Sequence, residues 1–76
     1  MEFMKKYEDD FLFEAFDDII KWRNTGIVSR ESNIRKVTED YIVIRPSISY
    51  NTAFNLVESF ILTELARRYI NFKRKE

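Results

Sequence analysis

Apolar residues Met4, Tyr7, Phe11, Ala15, Ile19 and Trp22 recur at intervals of three or four, with neither Gly nor Pro between Phe3 and Arg23. That spacing lines one face of an α-helix. It predicts a helix over about 4–24, closed by Asn24-Thr25-Gly26, where Gly26 is free to take the left-handed conformation. Leu12, Phe13, Phe16 and Ile20 carry the apolar stripe well around the cylinder. Asp10, Glu14, Asp17 and Lys21 are left as a narrow polar strip. A helix this apolar needs cover on two sides.

A second segment without Gly or Pro predicts a helix over about 49–73, with Ser49 or Asn51 able to cap it. Ala53, Phe54, Val57, Phe60 and Ile61 share one face in its first half. In the second half the apolar set is Ile61, Leu62, Leu65, Ala66, Tyr69 and Phe72, centred roughly 110° away on the same wheel. One straight helix therefore aims two apolar faces in different directions, the first at a core and the second at a further neighbour.

Between the helices, Tyr41-Ile42-Val43-Ile44-Arg45 is β-branched and ends at Pro46, the pattern of a strand that stops where the ladder donor disappears. Ile34 to Thr38 can pair with it across Glu39-Asp40. The expected fold is thus α+β and α-rich: a single small domain over 1–76, built of a long helix at about 4–24, a β-ribbon at about 34–45 and a long helix at about 49–73. A competing reading makes 30–39 a short helix capped by Ser29, with Ile34, Val37 and Tyr41 on one face, which yields an all-α chain.

Charge changes this picture. The 13 basic and 13 acidic residues cancel in number but not in position. Seven acids and two bases precede Lys21, whereas Arg67, Arg68, Lys73, Arg74 and Lys75 crowd the end. Segregated poles attract each other, a second copy or partners of opposite sign. Aromatics reach 16% of the chain, more than one small core holds. Tyr69 and Phe72, with the face of Phe13 and Phe16, are the interface candidates, because buried aromatics dominate contact energies.

Composition then excludes several chemistries. With no Cys and no His, disulfides, the usual zinc and iron–sulfur ligand sets and His-activated nucleophiles are ruled out. A single Gly builds no phosphate-binding loop. The acidic pairs Asp9-Asp10 and Asp17-Asp18, with Glu14, suit a solvated helix face whose anions complement the helix dipole better than a metal site, which draws ligands from several elements. The expectation is a protein that is not an enzyme, with no cofactor, no metal and no small-molecule substrate. No stretch reaches the ~20 apolar residues of a membrane span and no secretion signal is evident, so a cytoplasmic location is expected. The Lys-, Ile-, Asn- and Phe-rich usage suits an AT-rich genome such as that of a phage or mobile element.

The segment Val28-Ser29-Arg30-Glu31-Ser32-Asn33-Ile34-Arg35-Lys36-Val37, followed by Tyr41-Ile42-Val43-Ile44-Arg45-Pro46, resembles the recognition helix and wing strand of GntR-type winged helix-turn-helix repressors. The resemblance implies a dimeric DNA-binding regulator in which Ser29, Arg30, Ser32, Arg35 and Lys36 face phosphates and base edges. The chain departs from that family at Asn33, where the family has a buried aliphatic residue. The preferred expectation is a small noncatalytic protein-binding regulator or inhibitor, partnered by itself as a homodimer and by another protein. Its acidic strip of Asp10, Glu14, Asp17 and Asp18 would act beside Phe13, Phe16, Tyr69 and Phe72.

Overall fold

The computed structural model describes residues 2–75, among which there are four helices and no strand: α1 (Glu2–Lys5), α2 (Asp9–Thr25), α3 (Asn33–Ile44) and α4 (Tyr50–Arg74). The α+β expectation is therefore corrected, since the residues assigned to a β-ribbon form α3. Their burial pattern shows why: Ile34, Val37, Thr38 and Tyr41 are buried while Val43 and Ile44 are exposed. A strand would send Val37 and Thr38 to opposite faces. In the helix they turn inward together, and Thr38 Oγ1 donates to the Ile34 carbonyl at 2.8 Å, so the buried hydroxyl is satisfied locally.

The wing strand is absent for the same reason. Tyr41 to Ile44 is the last turn of α3, closed by the Arg45 N–H on the Tyr41 and Ile42 carbonyls, and Pro46 discourages further helix at Arg45. In the competing helical reading the inward face is placed as observed, but the helix begins at Asn33 after Ser32 and not at Arg30 after Ser29.

The first predicted helix is divided into α1 and α2 by a turn at 6–8. The Met4 and Tyr7 carbonyls at that turn accept hydrogen bonds from Arg68 Nη2 at 3.2 and 2.8 Å. A residue far along the chain thus takes the carbonyls that a continuous helix would use internally. α2 ends as the sequence suggests: Gly26 has φ 72°, and its N–H donates to the Trp22 carbonyl at 2.7 Å.

The core is formed by Met4, Leu12, Ala15 and Ile19 against Ile34 and Val37 of α3 and Ala53, Val57 and Ile61 of α4. Aromatic clusters close both ends. Phe3 contacts Tyr7 and Tyr41, Tyr7 stacks on Phe11 at 5.1 Å between ring centres, and Tyr41 meets Phe60 edge-on. At the other end Trp22 packs edge-on against Phe54 at 5.2 Å. Such pairs add roughly 0.5–1.5 kcal/mol each beyond burial.

Candidate functional site

α2 and α4 lie side by side and antiparallel, with an ion pair at each end of the seam. Arg68 Nη1 meets Asp9 Oδ1 at 2.7 Å, and Arg23 Nη2 meets Glu58 Oε1 at 3.1 Å. Between and beyond these pairs the seam is apolar and uncovered. Phe13 is 55% exposed, Phe16 37%, Tyr69 62% and Phe72 60%, with Ile20 also exposed. Phe13, Leu65, Tyr69 and Phe72 line a groove of about 250 Å³ together with the Asp9–Arg68 pair. Three sequence candidates from opposite ends of the chain, Phe13, Tyr69 and Phe72, thus meet in one surface feature. Phe16 continues along α2 on the same side but outside the groove. Monomeric proteins rarely leave contiguous apolar surface of this kind without a use for it.

The groove rests on a rigid polar hub. Glu64 is only 3% exposed, on the phase of Val57 and Ile61 that points into the core. Arg67 donates to both its oxygens, Nε to Oε1 at 3.2 Å and Nη2 to Oε2 at 2.6 Å, and Arg68 Nε donates to Oε2 at 2.7 Å. The Arg67 hydrogen bonds, joined by those of Arg68 and opposed by burial, hold the Glu64 carboxyl down at about 2. Arg68 also spans Asp9 and the Met4 and Tyr7 carbonyls, so one guanidinium ties α4 to α1, the turn and α2. Such a fork is what a planar guanidinium with five donors supplies and an ammonium does not.

The acidic strip divides. Asp18 Oδ2 accepts the backbone N–H groups of Asn33 at 2.8 Å and Ile34 at 3.4 Å, and Glu14 Oε2 accepts Asn33 Nδ2 at 3.0 Å. Asn33 Nδ2 also donates to the Phe11 carbonyl at 3.1 Å. These carboxylates hold the start of α3 on α2, an arrangement favoured by the positive end of the α3 dipole. Asp10 and Asp17 stand exposed on α2.

The residues singled out for nucleic acid are dispersed. Ser29 and Ser32 line an open cavity of about 330 Å³ together with Glu14, Asp17, Asp18, Glu31 and Lys21, where a phosphate would meet four carboxylates against one ammonium. Arg35 is turned the other way, donating to Tyr50 Oη at 3.2 Å and the Val28 carbonyl at 3.4 Å. Arg30 and Lys36 are exposed.

Sequence reasoning passed over Glu64, Arg68 as a hub, and the Tyr7–Asp40 hydrogen bond of 2.6 Å. Glu64 carried a signal: it is an acid seven residues after Val57 and three after Ile61, in core phase, followed at once by bases at i+3 and i+4. Among the described residues no group of three or more Asp and Glu is placed to hold a metal ion, and no helix is long and apolar enough to cross a membrane. Compared with protein-family models, curated proteins and solved structures, the chain shows no significant match to any.

Proposed function

We propose that this protein is a small noncatalytic protein-binding regulator or inhibitor whose binding face is the α2–α4 seam. The observation that carries the reading is the convergence of Phe13, Phe16, Tyr69 and Phe72, all substantially exposed, on one side of a helix pair that is otherwise pinned by ion pairs. Aromatics at the centre of a patch with charges at its rim are the composition of an energetic hot spot. The acidic contribution comes from Asp10 and Asp17, because Glu14 and Asp18 are spent on α3.

A photo-crosslinking side chain placed at Tyr69 in the living source cell, compared with one at the exposed Val43 on α3, tests the reading. Crosslinks to polypeptide, a second copy included, are expected at position 69 and not at 43. Equal capture at both positions, or none at 69, would overturn it.

A further inference from the structure

We propose that the cleft formed by the end of α2, α3 and the start of α4 binds a small organic anion, a carboxylate or phosphate carried on a flat ring. The cleft holds about 390 Å³ and is lined by Trp22, Arg35, Tyr50, Asn51, Phe54 and Asn55, with no acidic residue in its walls. Because α2 and α4 are antiparallel, it lies at the opposite end of the pair from the groove of Phe13, Tyr69 and Phe72. It is a second site, independent of the protein-binding face.

A missing counter-ion points to the ligand's charge. Among the described residues two basic side chains are half-buried, Arg68 and Arg35. Arg68 meets two carboxylates, Asp9 and Glu64, and two backbone carbonyls. Arg35 forms no ion pair among the described residues, although Glu31 and Glu39 stand four residues before and after it in the chain. Only neutral groups accept from its Nη atoms, the Tyr50 hydroxyl and the Val28 carbonyl, and its Nε is buried without a partner. A guanidinium withdrawn from water is stabilised most by an anion, through hydrogen bonds roughly twice as strong as neutral ones. Nη1 and Nη2 each commit one of their two N–H groups, so each keeps one for a ligand.

The remaining walls define the ligand's body. The Arg35 guanidinium stands 5.9 Å from the Tyr50 ring centre, Tyr50 stacks toward Phe54 at 6.5 Å, and Phe54 meets Trp22 edge-on at 5.2 Å. The unpaired cation therefore sits at one end of a run of three rings, against which a flat ring packs favourably. Asn51 and Asn55, one turn apart on α4, add exposed amides that can donate to the anion's oxygens. Small-ligand sites run from about 300 to 1,000 Å³, so a cleft of this size takes one ring with one charged group. Nucleic acid fits less well, because its backbone is held by several cations and Arg35 is the single basic residue in the lining.

Trp22 is the chain's single tryptophan, so its indole N–H gives one assignable signal at the site in proton–nitrogen correlation spectra of the full chain. Benzoate and phenyl phosphate, titrated to about 50 mM to cover millimolar affinity, are expected to shift it saturably, whereas uncharged benzyl alcohol should not. Arg35→Gln should weaken binding about tenfold or more. Asn51→Asp should weaken it about fivefold, the effect of one like charge about 4 Å away in water. Position 51 is exposed in the first turn of α4, where an acid suits the helix dipole, so this variant keeps the test valid if Arg35→Gln does not fold. Failure of both anions to produce a saturable shift would overturn the proposal. Benzyl alcohol binding as tightly as benzoate would do so too, as would unchanged affinity in the folded variants. A DNA duplex that shifts the same signal at far lower concentration, with steep salt dependence, would replace the small anion with nucleic acid.

Discussion

Asp18 Oδ2 accepts the backbone N–H of Asn33 at 2.8 Å, so α3 is capped by a carboxylate fifteen residues upstream, on a neighbouring helix. Ser32 occupies the cap position in the chain, yet its side chain makes no capping hydrogen bond, and its buried hydroxyl has no partner among the described residues. Docking and capping are therefore one event at this junction, because α3 receives its cap only when it lies on α2.

The usual effect of cap substitutions should accordingly be inverted at α3. Asp18→Ala is expected to cost about 1–2 kcal/mol, whereas Ser32→Ala should be neutral or slightly stabilising, since it removes an unpaired buried hydroxyl. Ser49 is an internal control: its Oγ accepts the Thr52 N–H at 3.2 Å, and Ser49→Ala should cost about 1 kcal/mol. Urea unfolding of the three variants checks the order.

Glu64 should govern acid stability. Glu64→Gln leaves Arg67 and Arg68 without their buried counter-charge and is expected to cost about 3 kcal/mol at pH 7. The carboxyl lies at about 2 in the folded chain against 4.5 unperturbed, so folding lowers its value. Its stabilisation is complete above about pH 4.5 and is lost as the pH falls toward 2. The difference in unfolding free energy between wild type and Glu64→Gln should shrink across that interval. A difference unchanged from pH 5 to 2.5 would exclude the ionised Glu64 as its source.

Tyr7 should act at the opposite end of the pH scale. Burial, then the hydrogen bond to Asp40 at 2.6 Å, push its phenol well above the ordinary value of 10.0. A folded value raised above the unfolded one gives stability that is present below about pH 10 and is lost as the pH rises beyond it. In absorbance titration at 295 nm, one of the four tyrosines should ionise only as the chain unfolds, and Tyr7→Phe should abolish that late component. At pH 7 the same substitution should cost about 1.5–3 kcal/mol, the range for a hydrogen bond to a charged acceptor.

Gly26 isolates a backbone effect. Its φ is 72°, and a Cβ added there meets no atom within 4 Å. Gly26→Ala should therefore lose about 1 kcal/mol through left-handed strain alone, a fall of about 4–8 °C in melting temperature for a domain this small. Gly26→Asn should lose less, because Asn tolerates that region.

Much of the helical architecture was legible wherever a face had a single period. Ala15, Ile19, Val57 and Ile61 sit in the phases that bury them, and the rotation of the apolar face along α4 carries Tyr69 out of the core phase, where it is exposed together with Phe72. The middle misled because Tyr41 to Ile44 has the composition of a strand, while the deciding information, the inward pairing of Val37 with Thr38 and the remote caps at Asn33, depends on what lies opposite. The aromatic half of the candidate site was named from its excess over one core. Its acidic half is not separable in the sequence, because Glu14 and Asp18 differ from Asp10 and Asp17 only in facing α3.

By itself, the order of residues determined the inward faces of α2 and α4, the stop at Gly26, the surplus of aromatics and the separation of charge, since each follows from helical spacing or local backbone freedom. Tertiary structure alone decided that 34–44 coils as α3, that the first helix breaks at 6–8, and that Phe13 meets Tyr69 and Phe72. Those outcomes depend on hydrogen-bond acceptors, guanidinium donors and apolar neighbours supplied from as far as 64 residues away, as Arg68 does for the Met4 carbonyl. Local periodicity holds no record of partners that distant.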